Sequence, residues 1–177
     1  LKGGLEMLVS SSGVKIIKGK GRLAGNGKVE IEGDTPTEIQ GDKILIATGT
    51  REAALPIEGA ENMINSTQAL ELERLPKSVC IIGGGVIGVE LATFYAGIGC
   101  EVYILEALSQ VLINLDTEMA IFMKENLVKK GIKICESSKV KRIEKNGELF
   151  KVVFDCNEEE NSIVVDTVLS AVGRTPN

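Results

Sequence analysis

The sequence predicts an α/β fold built on a parallel sheet, and three observations support this. Residues 79–82 are an apolar run, which is typical of a strand buried on both faces. A glycine-rich turn and a stretch with helical periodicity follow the strand directly. Residues 101–105 then form a second strand, after Gly97 and Gly99 have ended the helix. Strand, turn, helix and strand in this order form a βαβ unit, whose strands run parallel.

Shorter elements precede this unit. Three alternating or β-rich runs, separated by glycine turns, predict a small antiparallel meander at residues 14–17, 28–31 and 37–40. Residues 43–47 predict a continuous apolar strand, and residues 55–59 a surface linker. Ser66 or Thr67 is expected to cap a short helix that runs through Leu72.

Two longer helices show an apolar face at helical spacing. The first, after the glycine turn, is expected to bury Ile87, Leu91, Phe94 and Ile98. The second begins at Asp116 as N-cap and ends at Gly131. Its apolar face is expected to comprise Met119, Phe122, Met123 and Leu127.

The remaining elements are strands. Residues 132–135 predict a third parallel strand, and residues 167–172 a last apolar strand. Between them an antiparallel excursion with a turn at Asn146 and Gly147 is expected, with strands at 140–143, 149–154 and 163–165. The fold expected is therefore a Rossmann-like parallel sheet with an antiparallel β excursion.

The glycine turn has the spacing G-x-G-x-x-G, at Gly83, Gly85 and Gly88. Such a turn aims backbone N–H groups and a helix N-terminus at a pyrophosphate. We assign the tight turn to Gly83, the close approach of the cofactor phosphates to Gly85, and close packing of helix on strand to Gly88. The whole turn therefore predicts a dinucleotide site.

Glu106 ends the second strand, 21 residues after Gly85, which is close to the spacing of a ribose-binding acid. Its carboxylate would accept hydrogen bonds from the adenosine ribose and repel a 2′-phosphate, and none of the next four residues is basic. We therefore expect NAD(H) rather than NADP(H). Replacing Glu106 by Ala should weaken NADH binding by about tenfold to a hundredfold. The alternative is an exposed acid at a strand end.

Composition limits the remaining possibilities. The chain has 177 residues, of which 44% are hydrophobic and 25% charged, with a net charge of −5. This is the composition of a globular protein, and it argues against nucleic acid or an anionic membrane as a partner. The chain begins at Leu1, so we expect it to be part of a longer protein.

The four cysteines, at 80, 100, 135 and 156, have no spacing typical of a redox or metal motif. We expect Cys80 and Cys135 to be buried thiols, and a reducing, cytoplasmic setting. The chain has no histidine, which removes His-based catalysis and argues against a zinc site. We therefore expect no metal and no catalytic residue in this chain.

Six segments together resemble one family. They are residues 47–50 (ATGT), 66–70 (STQAL), 82–90 (IGGGVIGVE), Glu106, 116–118 (DTE) and 172–177 (VGRTPN). In this order they resemble the pyridine nucleotide-disulfide oxidoreductases, and within them the dihydrolipoamide dehydrogenases. The resemblance covers nearly the whole chain.

The resemblance implies an organisation. Residues 1–72 would be part of an FAD-binding domain, including the β-meander, and residues 73–177 the NAD-binding domain. In that family electrons pass from a dithiol such as a lipoyl group, through a redox disulfide and FAD, to NAD⁺, in a homodimer.

The resemblance also implies roles for particular residues. The NAD site would comprise Gly83, Gly84, Gly85, Val86, Ile87, Gly88, Val89 and Glu90, with Glu106, Val140 and Gly173. Val140 and Gly173 rest on the resemblance only, and Glu90 could equally be a solvated acid at a helix start. Residues near FAD would be Thr48, Gly49, Thr50 and Gly21, although Gly21 could equally be an ordinary turn glycine.

This chain departs from the family pattern. It lacks the first FAD glycine motif, a cysteine pair separated by four residues, and the C-terminal His–Glu pair, so we expect it to be catalytically incomplete and not to hold FAD by itself. We also expect the FAD-domain segment to expose apolar surface. Two alternatives stay open: the same domain of an NADH oxidase or another flavin-dependent disulfide reductase, and a stand-alone NAD-binding module without catalysis.

Overall fold

Two compact units make up the computed structural model of the chain, Leu1–Thr48 and Gly49–Asn177. The structure describes residues 2–33 and 36–177. The division expected at residues 72 and 73 follows the family's domains rather than compactness, and it stays a prediction. Within the described residues, no helix is both long enough and apolar enough to cross a membrane.

The first unit contains one helix and a three-stranded antiparallel meander in the order β1-β2-β3. Its elements are α1 (Lys2–Ser11), β1 (Lys20–Gly25), β2 (Lys28–Glu32) and β3 (Thr37–Gln40). The meander was predicted, but its first strand lies after residues 14–17 rather than on them. The reason is the turn at Gly25, Asn26 and Gly27, where all three residues have positive φ and β1 therefore ends just before β2 begins. The helix α1 was not predicted, and Asp34 and Thr35 of the second turn lie outside the described residues.

The apolar strand expected at residues 43–47 is absent from the structure. Leu45 is 90% exposed and Ile46 is 65% exposed, and neither belongs to a strand. A strand needs a neighbour that satisfies its backbone N–H and C=O groups, and this segment has no ladder partner among the described residues. The expectation of exposed apolar surface in this part of the chain is confirmed.

The second unit is built on a four-stranded parallel sheet in the order β11-β5-β6-β7. Its strands and helices are β4 (Thr50–Glu52), α2 (Ser66–Leu70), β5 (Ser78–Ile82), α3 (Val86–Gly97), β6 (Glu101–Leu105), α4 (Thr117–Lys129), β7 (Lys133–Cys135), β8 (Ser138–Asn146), β9 (Leu149–Cys156), β10 (Glu159–Val165), β11 (Thr167–Ser170) and β12 (Arg174–Pro176). The predicted α/β fold class is confirmed.

The sheet separates two hydrophobic cores, as the alternation along β5 shows. Val79 and Ile81 pack into the core that α3 and α4 cover, while Cys80 and Ile82 pack into the core against the antiparallel excursion. Successive strand side chains point to opposite faces, so a strand apolar at every position must be covered on both sides. This explains the apolar run that predicted the strand.

The antiparallel excursion is present as the sheet β10-β9-β8, with the predicted turn at Asn146 and Gly147 between β8 and β9. One pairing was not predicted: β12 lies antiparallel to β4 and joins the two ends of the second unit. Arg174 strengthens this ribbon, because its guanidinium donates to the Thr50 hydroxyl at 2.6 Å and to the Thr50 carbonyl at 2.8 Å.

The buried face of α3 differs from the predicted one. Phe94 and Ile98, expected in the core, are 47% and 41% exposed, although Leu91 is buried as expected. The cause is Gly88, which must face β5 because a Cβ there would lie 2.0 Å from the Gly83 carbonyl oxygen. Residues three, four and seven positions after Gly88 share its face. The buried set is Gly88, Val89, Leu91, Ala92 and Tyr95.

The helix α4 begins as predicted, with the Asp116 side chain accepting the Glu118 N–H at 3.0 Å. Only half of the apolar face predicted for α4 packs into the core, because Met119 and Phe122 are 55% and 59% exposed. The small Ala120, fully buried, lies on the core side and lets the helix approach the sheet. The face toward the core consists of Ala120, Met123 and Leu127.

The short helix α2 has Asn65 rather than Ser66 or Thr67 as its N-cap. The Asn65 side chain accepts the Gln68 N–H at 2.8 Å, and the Gln68 side chain accepts the Asn65 N–H at 2.9 Å. This reciprocal capping box satisfies two helix-terminal donors at once, which explains why the helix starts there. It ends at Leu70, two residues before the expected end.

The cysteine expectations are partly wrong. Cys80 is a buried thiol as predicted, and burial raises its pKa. Cys135, however, is bonded to Cys156, which joins the end of β7 to the end of β9. The two residues are 21 positions apart in sequence, and they meet because the β8–β9 hairpin brings Cys156 back opposite Ser138.

Tyr95 provides a test of the core on the helical side of the sheet. Its hydroxyl donates to the Ala69 carbonyl at 2.7 Å in a buried contact that ties α3 to α2. Replacing Tyr95 by Phe leaves that carbonyl without its partner, so we expect the free energy of unfolding to fall by about 1–2 kcal/mol in urea denaturation. Tyr103→Phe is the matched control, because the Tyr103 hydroxyl bonds at the surface. Equal losses in the two variants would contradict this assignment.

Candidate nucleotide-binding site

The turn after β5 can be built only with glycine at its first position. Gly83 has a φ of +107°, and a Cβ there would lie 2.4 Å from the Ala171 carbonyl oxygen. Its N–H donates to the Leu105 carbonyl at 2.9 Å. The turn is therefore locked between the ends of β6 and β11, the two strands that flank β5.

The other glycines of the turn differ in the space beside them. A Cβ on Gly84 would meet the Val111 side chain at 2.6 Å, and one on Gly88 would meet the Gly83 carbonyl oxygen at 2.0 Å. Gly85 has no atom within 4 Å of its Cβ position. Gly83 thus makes the tight turn and Gly88 the close packing of helix on strand, while Gly85 leaves open space and its role toward cofactor phosphates stays a prediction.

Gly85 is also the N-cap of α3, and no side chain caps that helix end. The first N–H groups of a helix have no partner within the helix, and the helix dipole makes this end attractive to anions. No acidic residue lies in the first turn of α3. The open space beside Gly85 therefore faces backbone donors of the kind that bind a phosphate.

Glu106 is held in place by backbone donors on both carboxylate oxygens. The Gly84 N–H donates to Oε2 at 2.5 Å, and the Leu108 N–H donates to Oε1 at 2.8 Å. The residue is only 8% exposed, so it is not the exposed strand-end acid of the alternative reading. A carboxylate has about four lone-pair positions, so each oxygen can still accept a ligand hydroxyl.

The backbone of Glu106 is fixed by the neighbouring strands as well. Its N–H donates to the Cys135 carbonyl at 2.9 Å, and its carbonyl accepts the Ser138 N–H at 2.8 Å. The carboxylate therefore projects from the carboxyl edge of the parallel sheet, where ligands bind in open α/β folds.

A cavity of about 730 Å³ lies at this edge. Of the predicted site residues, those that line it are Gly83, Gly85, Val86, Glu106, Val140 and Gly173. Most of the other lining side chains are apolar, as in many cofactor sites. The volume suits a drug-sized ligand or a cofactor.

The other predicted residues lie elsewhere. Gly84 packs behind the turn against Val111, and Val89 is buried in the core. Ile87 and Glu90 line a separate cleft of about 500 Å³ between α2 and α3, where Glu90 is exposed. Val86 through Glu90 are thus divided between cavity, core and cleft because successive helical residues point in different directions.

The four residues predicted near FAD do not line the cavity. Gly49 and Thr50 belong to the β4 end of the ribbon, where Arg174 donates to the Thr50 hydroxyl. Thr48 and Gly21 belong to the first compact unit. Gly21 lies in β1 with ordinary contact around its Cβ position, so the turn-glycine alternative does not describe it, and nothing there requires glycine.

Sequence reasoning missed two loops that line the cavity. Leu55, Pro56 and Ile57 come from the expected linker, and another wall comes from the stretch after β6 that had no predicted structure: Leu108, Leu112, Ile113, Asn114 and Leu115. The sequence did contain a signal for the second loop: its apolar residues directly follow the strand that ends at Glu106, the predicted ribose-binding acid.

The family model described as pyridine nucleotide-disulphide oxidoreductase matches residues 1–177. The chain belongs to this family. The resemblance predicted from the six sequence segments is confirmed.

Individual relatives agree with this assignment. The chain is 36% identical to dihydrolipoyl dehydrogenase of Geobacillus stearothermophilus and 34% identical to that of Mycoplasma pneumoniae, in each case over all of this chain and 38% of the relative. Among solved structures, the HOCl-induced flavoprotein disulfide reductase RclA from Escherichia coli is 31% identical with a TM-score of 0.74, covering 99% of this chain and 40% of that one. This member of the family thus spans about two fifths of the length of these oxidoreductases.

The second and third glycines of the motif, Gly85 and Gly88, lead to opposite predictions. Gly88→Ala places a methyl group against the Gly83 carbonyl, so we expect a loss of about 3 kcal/mol or more in unfolding free energy. Gly85→Ala meets open space at a φ of −73°, so we expect normal stability but about tenfold weaker binding of NADH. Thermal unfolding and calorimetric titration of both variants measure these effects. A Gly85→Ala chain that binds NADH as tightly as the parent would contradict the role of Gly85.

Proposed function

We propose that this chain is the NAD(H)-binding portion of an FAD-dependent, dihydrolipoamide dehydrogenase-like oxidoreductase. The observation that carries the proposal is the position of Glu106. A fixed carboxylate with free lone pairs and an uncapped helix N-terminus both border the same region of the sheet edge. These are the two groups that recognise the ribose and the pyrophosphate of a dinucleotide.

Each end of the dinucleotide would meet different groups. The pyrophosphate would accept hydrogen bonds from the first N–H groups of α3, beside the open space at Gly85. The adenosine ribose would donate its hydroxyls to Glu106, and the apolar side chain of Val140 would contact the adenine. Gly173, with no atom within 4 Å of its Cβ position, would leave room for the nicotinamide half.

Glu106 also favours NAD(H) over NADP(H). A 2′-phosphate would stand against a carboxylate that is only 8% exposed and little screened by water. Lys139 carries the positive charge among the residues that line the cavity, and it is exposed at the start of β8. The preference for NAD(H) therefore depends on whether Glu106 repels a 2′-phosphate more strongly than Lys139 attracts it. We expect that it does, because solvent screens the exposed Lys139 ammonium group more than the buried carboxylate.

The proposal extends to the longer protein. There FAD would receive electrons from a dithiol such as a lipoyl group, by way of a redox disulfide, and deliver them to NAD⁺. Thr48, Gly49, Thr50 and Gly21 would lie near FAD in that longer protein. We expect the 177-residue chain not to hold FAD by itself.

The setting of the longer protein is part of the same proposal. We expect a homodimer in the cytoplasm. The free thiols Cys80 and Cys100 favour this setting, whereas the Cys135–Cys156 bond is of a kind that is rare there.

One alternative has a specific observation in its favour. The structural similarity to a flavoprotein disulfide reductase of Escherichia coli supports the same domain in a reductase for another substrate. Turnover of dihydrolipoamide with NAD⁺ by the longer protein distinguishes the two, since a reductase for another disulfide would leave dihydrolipoamide unoxidised.

The first test is a calorimetric titration of the 177-residue chain with NADH and, in parallel, with NADPH. We expect NADH to bind at least about tenfold more tightly, because Glu106 accepts from the ribose and repels the phosphate. Equal affinity for the two cofactors would contradict the selectivity, and no binding of either by a chain with a cooperative thermal transition would contradict the proposed function.

A second test replaces Glu106 by Ala. We expect about tenfold to a hundredfold weaker NADH binding and a smaller preference over NADPH. The variant also leaves the Gly84 and Leu108 N–H groups without their acceptor, so its unfolding free energy must be measured alongside. Lys139→Ala, at the rim of the same cavity, is the control and should keep the preference for NADH. Unchanged NADH affinity in a folded Glu106→Ala chain would contradict the assignment.

A further inference from the structure

Glu136 is a partly buried carboxylate to which the sequence assigned no role. It directly follows β7, and its side chain is 16% exposed. One oxygen, Oε1, accepts the Val111 N–H at 2.9 Å. The other, Oε2, pairs with the Lys124 ammonium on α4. A single side chain therefore connects the end of a strand, a helix and the loop after β6.

Val111 is the point at which Glu136 acts on the glycine turn. The Val111 residue is fully buried, and its side chain fills the space beside Gly84. The next N–H along the chain, that of Leu112, donates to the Gly84 carbonyl at 2.8 Å. The loop is thus held by Glu136 on one side and by the glycine turn on the other.

Leu112 shows that the loop needs such a hold. Its φ of +54° is a left-handed conformation that a leucine rarely adopts, and it is only 6% exposed. Residues in this conformation persist where their surroundings determine it, and they occur often at ligand sites. Leu112 and the three residues after it line the same cavity as Glu106.

The segment that carries Glu136 also supports Glu106. The Ser137 N–H donates to the Leu108 carbonyl and the Ser138 N–H donates to the Glu106 carbonyl, both at 2.8 Å. The turn between β7 and β8 therefore holds the loop after β6 at three points, at Glu106, Leu108 and Val111. At Glu106 the Ser138 hydroxyl adds a second, longer hydrogen bond at 3.3 Å, whereas the hold on Val111 is made by the Glu136 side chain.

We infer that Glu136 is a positioning residue of the nucleotide site: by accepting the Val111 N–H it holds residues 107–115 against the glycine turn and so sets the wall of the cavity beside Glu106. The inference rests on the proposed function, because it assigns this wall to the adenosine half of the bound dinucleotide. The ion pair with Lys124 is secondary, since Lys124 is 40% exposed and water screens the pair.

Three variants separate the hydrogen bond from the charge. Glu136→Ala removes the acceptor of a buried N–H. Glu136→Gln can keep an oxygen acceptor for Val111 while losing the charge. Lys124→Met removes the ion pair and leaves the acceptor in place. For each variant, the affinities for NADH, ADP-ribose and nicotinamide mononucleotide are measured by titration or competition, with hydrogen exchange at the Val111 N–H and thermal unfolding recorded in parallel.

We expect Glu136→Ala to weaken NADH and ADP-ribose by the same factor, about tenfold, with nicotinamide mononucleotide unchanged and exchange at Val111 accelerated. We expect Glu136→Gln and Lys124→Met to stay within about threefold of the parent. A merely structural role would lower thermal stability without this split between the two halves of the cofactor.

Three results would overturn the inference, and they can be distinguished from one another. A Glu136→Ala chain that loses stability but binds ADP-ribose normally overturns the inference and leaves the proposed function intact. Glu136→Gln behaving like Glu136→Ala overturns it as well, because the charge rather than the acceptor would then matter. A parent chain that binds no NADH overturns both the inference and the proposed function.

Discussion

The hydrogen bond from the Gly84 N–H to the Glu106 carboxylate joins the two halves of the candidate site. It links the turn after β5 to the end of β6, and glycine at 84 favours it, because a Cβ there would lie 2.6 Å from the Val111 side chain and 3.1 Å from the same carboxylate oxygen. Gly88 lets α3 approach β5 closely, so the N-terminus of α3 also lies beside this turn. The uncapped N-terminus of α3 and the Glu106 carboxylate are therefore positioned by one backbone turn.

Two surrounding segments complete the arrangement, and both depend on that turn. The loop after β6 packs onto it through Val111 and Leu112, and the segment between β7 and β8 holds the loop from behind. Burying a carboxylate costs free energy unless its oxygens accept hydrogen bonds. Each oxygen of the buried Glu106 carboxylate accepts a backbone N–H without any ligand present. Such preorganisation lowers the ordering cost of binding, which suits a cofactor site.

The family assignment and the site geometry support each other at different levels. The family model matches the whole chain, and the chain spans about two fifths of the length of its relatives. The complete reaction of such a relative therefore needs parts that lie outside these 177 residues. The second unit carries the glycine turn, Glu106 and the cavity, and it has two well-filled cores. In the first unit, by contrast, apolar residues such as Leu45 stay exposed.

The sequence by itself determined the βαβ unit, its glycine turn, the acid at the end of β6 and the antiparallel excursion after β7, because these depend on local periodicity and on spacing along the chain. Tertiary structure alone decided which face of α3 is buried, since Gly88 must contact β5 and turns Phe94 and Ile98 outward. It also decided that Cys135 meets Cys156, that residues 43–47 have no strand partner in the part of the chain that the structure describes, and that Glu136 reaches Val111. Each of these depends on which backbone segments come close in space, and residues far apart in sequence carry no periodic signal of such a contact.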